Sequence, residues 1–286
     1  MIDTLITCII CKKPQAKFKF KKEDYPLYSC SNRHTTFVHP FPSFDTLKEY
    51  YETEYAEGSY IIHFESDDIR LKSSESRYSE LQKYDPKGKI LDIGCSTGYF
   101  LDYAAKNNLL TYGIELSLIA VKKAKLNHEN IINGSLDDSK YQDSFFDVIA
   151  MYDIIEHVTN PQDTMKEVSR IIKNNGLLVI TTPDIESWHA KVMGKRWGVI
   201  MPPEHLIYFS KKSISLLLER YGFEVIEIRK NYKIYTIDYL IRQAKYFYPG
   251  FYKILSLIKP LIPERILSKY SRYYIGELFL VARKKL

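Results

Sequence analysis

The sequence has little cysteine, no long apolar run and no repeat, and each absence narrows what it can be. Four cysteines among 286 residues, unevenly spaced, are too few for a disulfide framework and point to a reducing compartment. No run of eighteen apolar residues occurs, so no membrane-spanning helix is expected. The stretch MIDTLITCIICKK lacks a basic segment ahead of its short apolar run; it does not read as a signal peptide, and a cytoplasmic location is expected. No internal repeat or low-complexity tract is found. Glycine is also sparing where it matters most. The loop in KILDIGCSTGYF (89–100) has only Gly94 and Gly98, with Ser96 and Tyr99 where a G-x-G-x-x-G dinucleotide fingerprint needs glycine. A P-loop, G-x-x-x-x-G-K-[ST], is absent as well.

What is present is an apolar strand (Ile90, Leu91, Ile93) running into that tight loop and then into a helix. The layout brings backbone N–H groups and a helix N-terminus toward a ligand. A loop poor in glycine, with the acid Asp92 at its mouth, suits a cationic ligand better than a pyrophosphate. Glu115 ends the next strand, 23 residues after Asp92, where a carboxylate can accept both hydroxyls of a ribose. Strands are expected at about 89–94, 110–115, 130–133, 146–151 and 177–182, with helices at about 98–107, 117–126 and 161–173 between them, a βαβ series with a parallel sheet. Ser43 can cap a helix carrying Tyr50, Tyr51 and Tyr55, and a polar helix is expected over about 67–83. A helix at 212–221 leads through Gly222 to a strand at 223–229, and a last strand covers 275–283.

The loop resembles motif I of class I S-adenosylmethionine (SAM) methyltransferases, and the resemblance extends along the chain. FFDVIAMYDIIEHVTNP (145–161) is similar to the fourth strand and following turn of the ubiquinone-biosynthesis-like branch. The resemblance implies an α/β, Rossmann-like seven-stranded sheet and SAM as methyl donor. It implies a cofactor site of Asp92, Gly94, Cys95, Ser96, Gly98, Tyr99, Phe100, Glu115 and Leu116. Leu136 and Asp137 would lie at the adenine, Tyr152 and Asp153 at the methionine part, and His157 just behind them. A backbone-satisfied histidine at a helix start is an equal reading of His157. Residues 186–211 resemble a segment of sugar methyltransferases that carry an E-H-L-x-Y-F-S signature and an N-terminal zinc-binding region. Glu204, His205, Leu206, Tyr208, Phe209 and Ser210 match it. By that resemblance the Glu204–His205 pair faces the acceptor, with His205 as base and Glu204 assisting. A tyrosine that precedes the pair in the sugar C-methyltransferases is Pro202 here, and no counterpart of their large C-terminal domain is expected. Trp188 and Trp197 could wall the acceptor or simply fill the core.

Cys8-x2-Cys11, followed after eighteen residues by Cys30, has the spacing of a structural zinc ribbon. The family pattern would put its fourth cysteine at Arg33; His34 could replace it. A site without metal, with free thiols, is the other reading.

The net charge of +6 is unevenly distributed. Residues 229–286 hold 13 Lys/Arg against 3 Asp/Glu, while the other 228 residues hold 28 against 32. This basic, aromatic segment reads as a helical lid or dimer contact, as an interfacial surface with peripheral membrane contact, or, least well, as an RNA-facing patch. No RNA-binding motif accompanies it, so nucleic acid is not an expected partner. The expected organisation is a zinc-ribbon-like module over 1–42 and a methyltransferase domain over 43–286. Within the latter, 43–87 forms an N-terminal helical lid and 232–274 a basic insertion before the last strand. The expected function is methylation of a small-molecule or glycan acceptor, including a lipid-linked sugar. The alternatives are a quinone or aromatic O-methyltransferase and a SAM-binding protein without transfer.

Overall fold

The computed structural model describes residues 5–43, 46, 47, 50, 53 and 67–286. The expected helix after Ser43, with Tyr51 and Tyr55, falls largely outside the described residues, as does the front part of the expected lid.

The chain opens with four short antiparallel strands, β1 (Ile6–Thr7), β2 (Pro14–Lys22), β3 (Tyr25–Cys30) and β4 (Thr36–Val38). Helix α1 (Asp67–Gln82) follows. The alternating series then runs β5 (Lys89–Ile93), α2 (Tyr99–Lys106), β6 (Leu110–Glu115), α3 (Leu118–Ala124), β7 (Ile131–Asn133), β8 (Phe146–Tyr152), α4 (Pro161–Ile171) and β9 (Ile172–Pro183). The chain closes through α5 (Trp188–Met193), β10 (Ile207–Tyr208), α6 (Lys211–Arg220), β11 (Phe223–Tyr235), α7 (Ile237–Phe247), α8 (Pro249–Ile258), α9 (Glu264–Leu267) and β12 (Ser271–Lys284).

Seven strands form one sheet in the order β11-β12-β9-β8-β5-β6-β7. β5 to β9 pair in parallel, and only β12 runs against its neighbours. The chain order reverses at β5, between β6 and β8, which opens a crevice at the carboxyl ends of the strands. Strand periodicity distributes the apolar residues to both faces. In β8, Phe146, Ile149 and Met151 join the core under α4 and α6, while Val148, Ala150 and Tyr152 join the core under α1 and α2. In β5, Ile90 lies on the α1–α2 side and Leu91 and Ile93 on the other. Asp92, two residues from Ile90, therefore stands on the face that carries Tyr152.

The expected series agrees with these elements, and the differences have local causes. β11 and β12 extend well past the expected 223–229 and 275–283, pairing as far as Tyr235↔Ser271 beyond a shift at Asn231/Lys233. This extension alternates half-exposed polar and aromatic residues, so it carries no apolar run. The N-terminal strands do not stand apart from the rest. β10 pairs with β4 in the register Ile207↔Phe37 and Tyr208↔Thr36, so residues 5–43 and the 203–210 segment share one five-stranded sheet. Cys8, Ile10, Leu27 and Phe37 pack in the same core as Leu206, Phe209 and Leu217.

Candidate active site

The loop after β5 is shaped by three left-handed residues, Gly94 (φ 77°), Ser96 (φ 48°) and Gly98 (φ 87°). A Cβ on Gly94 would lie 2.1 Å from Ile154 Cδ1, so the turn after β8 closes directly onto the bare backbone there. Glu115 ties this loop to the turn after β6: Ser96 N–H donates to one carboxylate oxygen at 3.0 Å and Ser117 N–H to the other at 2.8 Å. Burial still holds the Glu115 carboxyl above its ordinary value. Asp92 is 4% exposed and forms no ion pair among the described residues. Burial pushes its pKa up to about 7, Arg77 opposing and Glu115 adding to the rise. Cys95 packs against the backbone of Gly113, where a Cβ would sit 2.6 Å from its Sγ. Phe100 meets the ring of Tyr152 edge-on at 4.9 Å, and the buried Tyr152 hydroxyl has no hydrogen-bond partner among the described residues. Tyr99 is half-buried, Leu116 exposed, Leu136 buried and Asp137 exposed. These features fit a cationic nucleoside. They supply a glycine-bared turn, a carboxylate beside it and, in Asp92, a buried acid lacking a counter-ion.

Asp153, at φ 58° just beyond β8, is the charge centre next door. Arg77 from α1 and Lys233 from β11 both reach its Oδ2, at 2.5 and 2.6 Å, and the Thr181 hydroxyl donates to Oδ1 at 2.8 Å. Burial alone would raise this carboxyl, but the two cations outweigh it and hold it well below the usual range. Lys233 also reaches Glu277 at 3.3 Å, and the Arg77 guanidinium lies 4.8 Å from the Tyr152 ring centre. Sequence reasoning missed Arg77, Lys233 and Glu277. Each arrives from an element distant in the chain, and no local pattern marks it.

The 203–210 segment is stapled to the turn after β8. Leu206 and Ile207 N–H both donate to the Glu156 carbonyl, at 2.9 and 3.1 Å. Most of the signature is structural. Leu206, Tyr208 and Phe209 are fully buried, and the Tyr208 hydroxyl donates to the His205 carbonyl while accepting from Met201 N–H. Ser210 caps α6 with a capping box to Ser213 and donates its hydroxyl to the Arg33 carbonyl at 2.6 Å. The staple brings His205 to His157, their rings perpendicular with centres 4.7 Å apart. His205 Nδ1–H donates to the Val199 carbonyl at 2.9 Å, which leaves Nε2 as the ring nitrogen that carries the lone pair. The carboxylate in this group is Glu156 rather than Glu204. One ligand atom from each of Glu156, His157 and His205 lies within 4.8 Å of the others, a set able to hold a proton or a divalent cation. Glu204 is half-buried, and its backbone carbonyl takes the His157 imidazole. Burial, with Asp153 adding and the Thr182 side chain opposing, keeps the Glu156 carboxyl well above its ordinary value. Burial lowers His157 to about 4 and His205 to about 3, so both rings are neutral at physiological pH. Trp197 is core, its indole N–H on the Ile275 carbonyl at 3.3 Å, whereas Trp188 is exposed and stacked on His189.

Three thiols converge in the N-terminal sheet. Cys8, Cys11 and Cys30 offer sulfurs within 4.8 Å of one another, Cys11 and Cys30 at 3.7 Å. That separation matches the edge of a zinc–thiolate tetrahedron, about 3.8 Å for a bond near 2.3 Å. Two matching turns build the site. Lys12 N–H donates to the Cys8 carbonyl and His34 N–H to the Cys30 carbonyl, while Cys8 and Cys30 donate to Lys13 and Thr35. Lys12 and His34 are both left-handed, at φ 60° and 54°. Arg33 therefore takes the counterpart of Cys11, and its buried Nε has no hydrogen-bond partner among the described residues. His34, expected as the fourth ligand, takes the counterpart of Lys12 instead, and its Nδ1 lies 2.5 Å from Glu186. The three thiols fit zinc, and the fourth position is filled by arginine.

A family model described as "Methyltransferase domain" matches residues 69–228. An uncharacterized protein of Methanocaldococcus jannaschii is 26% identical over 174 residues, covering 61% of this chain and 81% of that protein. The ubiquinone biosynthesis O-methyltransferase of Glaesserella parasuis is 28% identical over 136 residues, 43% of this chain. The chain spans 58% of that enzyme's length and 48% of its mitochondrial counterpart in Schizosaccharomyces pombe. Among solved structures, the magnesium protoporphyrin IX methyltransferase of Synechocystis, with bound SAH, superposes with a TM-score of 0.55 at 14% identity, covering 85% of this chain and all of that one. A SAM-dependent methyltransferase from Archaeoglobus fulgidus gives a TM-score of 0.51 at 19% identity, covering 74% and 95%. Sheet order, glycine loop and family match agree: the chain belongs to the methyltransferase-domain family and has the class I SAM-dependent fold.

Proposed function

We propose that this chain transfers the methyl group of SAM to a hydroxyl or an acidic carbon of a small-molecule or glycan acceptor, including a lipid-linked sugar, and that the acceptor proton passes to the His205–Glu156 group. The observation that supports the reading is the seam between β8 and the 203–210 segment, which sets a neutral His205 imidazole against His157 and within the field of Asp153 at the end of β8. SAM supplies an activated methyl group, so the protein has mainly to align the acceptor and take its proton. As the acceptor–methyl bond forms and the sulfur–methyl bond breaks, the acceptor proton moves to His205 Nε2. The resulting imidazolium is favoured by Asp153, which stays ionised, and by the Glu156 carboxyl, whose oxygen within 4.8 Å can accept from it. Val199 fixes the tautomer for this role. The Cys8, Cys11 and Cys30 thiols would hold a structural zinc that braces the sheet bearing β10 and takes no part in transfer.

A second reading, methylation of a quinone-type or other aromatic hydroxyl, is favoured by the O-methyltransferases among the relatives. Incubating the protein and methyl-labelled SAM with cell fractions distinguishes the two by whether label enters glycan, lipid-linked sugar or an aromatic extract. His205→Ala should abolish transfer and leave SAM affinity within about threefold. A fully active variant removes His205 from the chemistry, and SAM binding without transfer to any fraction would favour a sensor or scaffold.

A further inference from the structure

The insertion between β11 and β12 presents its greasier side to solvent. No residue of α8 is buried. Phe251, Ile254, Leu257 and Ile258, with Leu261 one turn further, follow helical spacing along one side and are 44 to 81% exposed. The opposite side, Tyr252, Leu255, Ser256 and Lys259, is the half-buried one, and Lys259 is held by Asp238 at 2.5 Å. A surface helix that only covered the core would show the reverse arrangement. In the same insertion Lys245, Lys253, Arg265 and Lys269 are exposed and form no ion pair among the described residues, against one such acid, Glu264. Tyr246, Phe247 and Tyr270, also exposed, add side chains with an apolar body, two of them with a polar tip.

We propose that this stripe docks the protein onto an anionic lipid surface, with α8 lying in the plane of the bilayer and the lysines at headgroup level. An apolar stripe edged by basic residues and aromatics is the physical description of an interfacial helix. No described helix is long and apolar enough to cross a membrane, so the contact is with one leaflet. Charge decides against a second copy of the chain. A two-fold contact through this face would set the same uncompensated cations against each other, whereas an anionic surface neutralises them all. The docked element also leads to the acceptor side. The Tyr248 hydroxyl, at the start of α8, accepts from Gly198 N–H at 2.8 Å, and the next carbonyl, Val199, holds His205. The docking inference stands on the stripe and its charges and does not require the proposed acceptor.

Co-sedimentation of the full chain with phosphatidylcholine vesicles, with and without about one-third phosphatidylglycerol, tests it. Binding is expected only to the anionic vesicles and should weaken as salt rises. Leu257→Ser with Leu261→Ser should cut the partition at least tenfold, and Lys245→Gln with Lys253→Gln roughly fivefold per lysine. These side chains are exposed, so melting temperature and SAM binding should be unchanged in each variant. Absence of binding by the wild type, or undiminished binding by the leucine variant, overturns the proposal. So does a wild-type dimer that the leucine variant converts to monomer, because the stripe is then a contact between copies.

Discussion

A buried acid that titrates near neutrality gives cofactor binding a pH dependence that can be calculated. Asp92 has no ion-pair partner among the described residues, and burial raises its pKa from 3.8 to about 7. A cationic ligand needs the carboxylate, so the unliganded protein must first give up a proton. Apparent affinity then falls by the factor 1 + 10^(pKa − pH), which is close to 1 at pH 8 and about 11 at pH 6. SAM should therefore bind about tenfold more weakly at pH 6 than at pH 8, releasing close to one proton at the lower pH and about a tenth of one at the higher. Calorimetry in two buffers of different ionisation enthalpy measures affinity and proton release together. The same shift bears on folding. An acid whose folded pKa is raised contributes stability below about pH 4 that is lost as pH climbs through 7, here about 4 kcal/mol at most. Asp92→Asn should flatten this difference and abolish the proton release while weakening SAM binding at pH 8. Equal affinity at pH 6 and 8, or an unchanged proton count in Asp92→Asn, would refute the argument.

Other expectations can be checked separately. Gly94→Ala asks a left-handed residue to carry a Cβ 2.1 Å from Ile154, so it should destabilise the protein by more than about 1 kcal/mol in denaturant melts and weaken SAM binding. Ser210→Ala removes the α6 cap and the bond to the Arg33 carbonyl; a loss of about 1–2 kcal/mol is expected, and an unchanged melting curve would contradict the cap. Elemental analysis should find up to one zinc per chain, lost in Cys11→Ser. Arg33→Cys should bind zinc more tightly than wild type in a chelator competition, because it restores the second turn's counterpart of Cys11.

The sheet could be anticipated from the sequence because parallel strands buried on both faces are nearly continuous apolar runs, as in KILDI and FDVIAMY, and their helices follow at short spacing. The glycine loop was legible for a similar reason: its conformation depends on residues adjacent in the chain. The extended β11–β12 ribbon was not, since NYKIY and SRYYI mix polar and aromatic residues without an apolar run, and the face that packs, with Tyr235, Tyr273 and Ile275, meets Ile69 and Tyr239 from distant helices. The thiol cluster could be seen in Cys8, Cys11 and Cys30, but choosing between Arg33 and His34 required the repeat of two turns, which is visible only in hydrogen bonds and left-handed φ values.

The acid beside His205 shows why the acceptor side was only half legible. Glu204 and His205 are neighbours in a turn, closed by the His205 N–H on the Met201 carbonyl, and the turn lets them face different partners. With His205 turned toward His157, Glu204 meets His157 through its backbone carbonyl, while its charge bears on the Tyr208 hydroxyl. Glu156 comes instead from the turn after β8, where its own carbonyl receives the N–H groups of Leu206 and Ile207. The backbone bonds that anchor the segment therefore also deliver the carboxylate. Removing that carboxylate would leave His205 held by Val199 but without an acid to share its proton. Glu156→Gln should thus lower the rate of transfer more than it lowers SAM affinity, whereas Glu204→Gln should not reproduce that loss in rate.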